Sequence, residues 1–269
     1  MVKKNERAKQ EEIKLSRRPK LANPSVVAAW PGVGNVALGA ARYLTEKLKA
    51  KEFAEIEPLS LFDLSAVSFA DGLIQPSIPP RSKFHYWKNK QAKEDLIILL
   101  GEAQPTSQSY EFANCVLDIA QRFATKRVYT FAGALSSHFS KEPRVWAVAT
   151  QPELLTELEH HGVVLRGDFH ISGMNGVLLS VAKERGMEGI CLLGETPQQL
   201  DEIENPAASR AVLNALTDIL GIEIDMSELD ESVRQASQEI EEFLKQSRYE
   251  FIDHFTFPLW KRPEDEGRS

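Results

Sequence analysis

The segment Ile171–Pro197 most narrows what this chain can fold into. Gly173 and Gly176 bracket Asn175, and Val177, Leu178, Val181 and Ala182 then recur at helical spacing. Gly186 marks the end of that helix. Gly189-Ile190-Cys191-Leu192-Leu193 follows, a run without a polar side chain. A strand that is apolar on both faces must be covered on both, the condition of a parallel strand in an α/β sheet. The run delivers Gly194-Glu195-Thr196-Pro197, which reads as a second glycine turn. Open α/β sheets place ligand crevices at the carboxyl ends of their strands, so these turns are candidate site turns.

The same grammar recurs along the chain. Ser25–Trp30 reads as a strand, Pro31-Gly32-Val33-Gly34-Asn35 as the turn after it, and Val36, Ala40, Tyr43, Leu44 and Leu48 as one helix face. Phe53–Glu57 is a second strand, stopped by Pro58. Phe62, Leu64, Val67 and Phe69 suggest a strand, and Asp71-Gly72 a hairpin turn into Leu73-Ile74-Gln75. Pro76, Pro79 and Pro80 forbid regular pairing beyond it. Lys83–Trp87 alternates and turns at Lys88-Asn89 towards the buried strand Asp95–Leu100, an antiparallel addition. Phe112, Ala113, Val116, Leu117, Ala120 and Phe123 define a helix. Arg127–Ala132 is a strand ending at Gly133, and Val145–Ala149 is another. Glu153–His160 is a short helix, Val163-Val164 a brief strand, and Asn205-Pro206 opens a helix that Gly221 stops.

The expectation is an α/β fold with a central mixed, mostly parallel sheet flanked by helices. A final amphipathic helix begins near Ser227, with Asp230 three residues on as an imperfect capping box. Its stripe, Leu229, Val233, Ala236, Ile240 and Phe243, is a candidate interface. Three regions are expected: a basic flexible tail over 1–22, an α/β core domain over 23–222, and a C-terminal helix and tail over 223–269. The last packs on the core or on a neighbouring subunit.

Composition excludes several classes. With 269 residues, 42% of them hydrophobic, the chain can bury a core without disulfides. Its two cysteines, Cys115 and Cys191, sit in apolar surroundings and read as packing thiols of a reduced compartment. No apolar run reaches membrane-spanning length and no signal peptide opens the chain, so the expected location is cytoplasmic. A formal charge of −7 argues against nucleic acid as a partner. The basic arm at residues 1–20 reads as a solvated tail in preference to an RNA contact.

The candidate chemistry is sparse. Trp30–Asn35 lies between a strand and a helix, where free backbone N–H groups can cradle an anion. It is not a dinucleotide fingerprint, since Ala37 stands where the third glycine belongs, and no Gly-Lys-Ser/Thr makes it a P-loop. A tight turn needing small residues is the preferred reading. Gly101-Glu102 and Gly194-Glu195 each follow an apolar strand. Their carboxylates are expected to cap helix N-termini, with an acid–base pair as the rival. Ser136-Ser137-His138 lacks a nucleophile elbow. His160, His161 and His170 match no zinc spacing, so neither a metal nor a cofactor is expected.

The ordered set Trp30–Asn35, Gly101-Glu102, Gly133, Ile171–Gly176, Leu192–Pro197 and Asn205–Ala208 resembles the proteasome-assembly-chaperone family. Its prokaryotic members were earlier described as ATP-grasp-like enzymes. The likeness spans roughly residues 24–245. It implies an α/β fold similar to that of nucleoside phosphorylases, self-association, and proteasome subunits or another protein complex as partners. Some relatives end in a hydrophobic–tyrosine–any tail that enters pockets of the proteasome ring. This chain closes on Gly267-Arg268-Ser269, so engagement by that route is not expected.

The leading expectation is therefore a non-enzymatic, homo-oligomeric, assembly-chaperone-like protein. The alternative is a nucleotide- or phosphate-binding enzyme or sensor. Its candidate ligand site would gather Gly32, Gly34, Asn35, Gly101, Glu102, Gly133, Asn175, Gly194, Glu195 and Thr196 at the carboxyl edge of the sheet. Which reading holds depends on whether those turns converge on an open pocket.

Overall fold

A computed structural model of the chain describes residues 13–56, 62, 67, 69–76, 79–90, 94–137, 140–165, 167, 168 and 170–240. The strands are β1 (Ile13–Leu15), β2 (Ser25–Ala29), β3 (Lys51–Ile56), β4 (Phe69–Ala70), β5 (Leu73–Ile74), β6 (Ser82–Trp87), β7 (Leu96–Gly101), β8 (Arg127–Ser136), β9 (Val145–Ala149) and β10 (Glu188–Pro197). The helices are α1 (Val36–Lys47), α2 (Ser109–Arg122), α3 (Pro152–Leu158), α4 (Met174–Glu184), α5 (Pro206–Leu220) and α6, helical from 227 to 240.

Eight strands form one sheet in the order β1-β3-β6-β7-β2-β8-β10-β9. β7, β2, β8 and β10 run parallel at its centre. Antiparallel strands extend it on both sides, β6, β3 and β1 beyond β7, and β9 beyond β10. Ile13–Leu15, expected within a polar tail, is thus an edge strand paired with β3.

Strand alternation explains the two cores. Val27 and Ala29 of β2, Leu96 and Ile98 of β7, Tyr129 and Phe131 of β8, and Ile190 and Leu192 of β10 meet α1 and α5 on one face. Val26, Ala28, Ile97, Leu99 and Val128 face the other way, against α2 and α4. Both side-chain sets of each central strand are covered, so these strands carry apolar residues at consecutive positions. The result is a three-layered α/β/α sandwich.

The glycine punctuation of the sequence is partly corrected. Gly133 and Gly194, expected as strand-ending turns, lie inside β8 and β10 and are paired with each other. The two strands run on together to Ser136 and Pro197, because each supplies the other's backbone partners. Their glycines answer to close packing. A Cβ on Gly194 would stand 2.9 Å from the Ala208 carbonyl oxygen of α5, and one on Gly133 2.8 Å from that of Val33.

Candidate functional site

The four parallel strands end at one edge of the sheet, and Gly32–Asn35 after β2 and Gly101-Glu102 at the end of β7 lie there. Between the exit of β2, the end of β8 and the chain leading into α4 opens a cleft of about 580 Å³. Gly32, Gly133 and Asn175 line it; the other candidate ligand residues do not.

Asn175, 3% exposed, spends its amide on backbone. Its Oδ1 accepts from Trp30 N at 3.2 Å and its Nδ2 donates to the Trp30 carbonyl at 3.4 Å. The side chain thereby satisfies the polar backbone of Trp30, the residue just beyond β2, where the strand ladder stops. Gln104, not singled out from sequence, does the same one layer out. Its Nε2 donates to the Pro31 carbonyl at 2.6 Å and its Oε1 accepts from Met174 N at 2.8 Å. The two amides lock the turn after β2 to the start of α4.

The remaining candidates serve as fastenings around the cleft. Gly34 (φ 59°) donates to the Asp201 carbonyl and accepts from Asn205 N, and Asn35 Nδ2 donates to Glu204 at 2.8 Å. Thr196 is buried beside Gly34, its hydroxyl accepting from Asn205 Nδ2 at 3.4 Å. Asn205 also caps α5 by accepting from Ala208 N. Gly101 lies under the Trp30 indole, where a Cβ would sit 2.1 Å from ring atoms. Glu102 accepts from Arg81 N at 2.9 Å and so pins the loop entering β6.

Glu195 is the most enclosed carboxylate of the edge. It accepts from Ser136 Oγ at 2.9 Å and from Arg144 through N, Nε and Nη2 at 3.2, 3.2 and 2.9 Å. The Arg144 guanidinium, together with these hydrogen bonds, holds the Glu195 carboxyl below the usual carboxylate range against the opposing effect of burial. Neither Glu102 nor Glu195 caps a helix, contrary to the sequence reading; each ties strands and loops together. Their strands stand three positions apart, ~14 Å at ~4.8 Å per strand. That exceeds the roughly 5–10 Å over which two carboxylates divide an acid–base task.

The cleft wall is mainly apolar, with Val33, Ala134, Leu135 and Ile171 prominent. Asp168, His170 and Ser172 are its other polar side chains, and no Lys or Arg lines it among the described residues. Ser136 is committed to Glu195, and His138 lies outside the described residues. His161 pairs with Asp218 at 2.6 Å. Among the described residues no three His, Cys, Asp or Glu side chains gather as a metal site. Burial pushes the Cys191 thiol up to about 12.

The stripe of α6 turns partly inward. Leu229 packs into the core beside α1, and its N–H donates to Tyr43 Oη at 3.3 Å. Tyr43 Oη donates in turn to the Asp225 carbonyl, and Lys47 pairs with Glu228 at 2.7 Å. Val233 and Ala236 are half-buried and Ile240 is buried; Phe243 lies outside the described residues. In place of the expected Ser227–Asp230 box, Asp225 holds the start of the helix, its Oδ1 accepting from Ser227 N at 2.9 Å. Between α6, α5 and the start of β9 lies an open groove of about 920 Å³ edged by the ion pairs Arg210–Asp230 and Arg144–Glu195.

Fold and site together define an α/β/α protein with a closely fastened carboxyl edge and a largely apolar cleft. The PAC2 family model matches residues 26–244, and the chain belongs to the PAC2 family. An uncharacterised protein of Methanocaldococcus jannaschii is 30% identical over 228 residues, 84% of each chain. The crystal structure of Pyrococcus furiosus PbaB, an archaeal proteasome activator, is similar with a TM-score of 0.75 and 34% identity. That match covers 86% of this chain and 97% of PbaB. Pyrococcus furiosus PbaA, an archaeal homologue of proteasome-assembly chaperones, shares the fold at 22% identity and a TM-score of 0.65, over 88% and 98% of the two chains. The ordered motifs that resemble the proteasome-assembly chaperones thus have their counterpart in family and fold.

Proposed function

We propose that this chain is a non-enzymatic, self-associating protein of the cytoplasm that binds proteasome subunits or an allied complex, as an assembly chaperone or activator. The observation that carries the reading is the 34% identity to PbaB across 97% of that protein. The cleft supports it chemically. Its polar amides already serve the backbone, and its walls suit apolar matter better than a charged metabolite. The test is co-sedimentation of the purified chain with purified archaeal 20S proteasome, alongside peptidase rate. Binding at micromolar concentration, with a changed rate or an altered distribution of assembly intermediates, is expected. No co-sedimentation and no kinetic effect at any attainable concentration would overturn it.

A second reading draws on cleft size, since about 580 Å³ lies within the range of small-molecule sites. It makes the protein a sensor of a small ligand at the carboxyl edge. Thermal shifts with nucleotides and phosphorylated metabolites, set against uncharged apolar compounds of similar size, separate the two. A flat response to all of them removes this reading and leaves the first.

A further inference from the structure

β8 outruns the strand beside it. Its parallel pairing with β2 ends where Ala28 meets Thr130, while β8 continues to Ser136 alongside β10. Phe131–Ser136 therefore has a strand on one side only, a free edge of ~20 Å at ~3.3 Å per residue. β2 cannot follow, because Pro31 brings no N–H to a ladder. What its exit could still offer is already spent: both backbone groups of Trp30 on Asn175, and the Pro31 carbonyl on Gln104.

Successive residues of a strand turn their N–H and C=O to opposite sides. Alternate residues of Ala132–Leu135 thus pair with β10, and the others present donor and acceptor away from it. Among the described residues, no hydrogen bond beyond the strand ladders reaches the backbone of Ala132, Gly133, Ala134 or Leu135. These same residues line the carboxyl-edge cleft. Besides its apolar walls, the cleft therefore holds an unpaired length of sheet edge, in the lane that β2 vacates. Ala37 flanks it from one face of the sheet, and Ile171 and Leu193 from the other.

An edge of this kind specifies its occupant more narrowly than polarity does. A row of backbone donors and acceptors is matched by another extended backbone, whose alternate side chains then fall to the two faces. An apolar metabolite fills the walls and leaves the edge unpaired. We propose that the cleft binds an extended, uncharged, apolar peptide segment of a partner protein, which adds to β8 as a strand in the lane β2 leaves. This rests on the protein-binding reading above and gives it a surface and a chemistry. Asp168 lines the cleft and no Lys or Arg does among the described residues, so an acidic segment is disfavoured.

The test uses the full chain and three blocked hexapeptides that alternate Thr with Val, Leu or Phe, with a Thr-Glu peptide as control. Calorimetric titration is expected to show at least one of the three binding below about 1 mM, and the control not binding. Two N-methylated forms of the binder follow, with methyls on one or the other alternate set of residues, so that each loses the N–H groups of one strand edge. One form is expected to bind about tenfold or more weakly, and the other within about threefold of the parent. Amide exchange read by NMR should find alternate residues of Ala132–Leu135 exchanging freely without peptide and slowed about tenfold or more with it. Leu135→Asp, at a wall position 52% exposed, should weaken binding about tenfold at unchanged melting temperature. The methylated peptides need no protein variant, so they decide the matter even where that substitution unfolds the chain. No binding by any of the three peptides overturns the proposal, and intact proteasome co-sedimentation in the same preparation then leaves the protein-binding reading standing on another surface. Equal affinity of the parent and both methylated forms makes the cleft an apolar recess without strand addition and overturns it. Protection of all four amides without peptide overturns it as well, assigning the edge to a second copy if the protection grows with protein concentration and to another segment of this chain if it does not.

Discussion

Glu195 receives four donor atoms, from Ser136 and Arg144, at the end of β10. A carboxyl held below its unfolded value stabilises the fold above the ordinary carboxylate range. That contribution disappears as pH falls through the lowered value. Glu195→Gln is expected to cost about 1–2 kcal/mol at neutral pH, a figure kept small because Arg144 is largely solvent-exposed. Urea unfolding from neutral to acid pH should show the variant's stability falling less on the acid side than the wild type's. Gly101 offers a steric test. A Cβ there would overlap the buried Trp30 ring at 2.1 Å, so Gly101→Ala should destabilise by about 1–3 kcal/mol in the same assay. Cys191, buried and with its thiol raised to about 12, should resist a thiol reagent until the protein unfolds. Native-state labelling followed by mass spectrometry reads this directly.

At the scale of elements, α6 is tied to the core near its start. Leu229 enters the core, Tyr43 bridges it through one hydroxyl, and Lys47 and Arg210 pair with its acidic face. Leu229→Ala is expected to cost about 2–3 kcal/mol and to release the helix before the sheet. Hydrogen exchange should lose protection over 227–240 while β2 and β8 keep theirs; uniform loss across the chain would contradict this. β8 and β10 teach a different lesson. Their apolar cores were legible from composition alone, but their lengths were not. Gly133 and Gly194 look like stops in a linear reading. A ten-residue parallel ladder keeps them inside the strands, and helix α5 and the turn at Val33 need their missing side chains.

For the whole molecule, the alternation of apolar strands with amphipathic helices was enough to specify an α/β sheet with both faces covered. The order of short motifs was enough to indicate the family. Both are local or sequential properties, and burial on two faces leaves a direct trace in residue type. The sequence also indicated that the glycine turns share an edge, because parallel strands must end together. It did not reveal which of those residues face open space. Asn175, Gln104 and Glu195 are polar residues whose donors and acceptors are consumed by backbone or by Arg144 from distant parts of the chain. That assignment exists only once β2, β7, β8 and β10 are side by side. The hairpin at Asp71-Gly72 was readable from its turn, since two adjacent residues with positive φ are a local requirement. That Phe69, Leu73 and Ile74 are largely exposed was decided by tertiary structure. Exposure depends on what the rest of the chain leaves uncovered, and no periodicity within a six-residue ribbon encodes it.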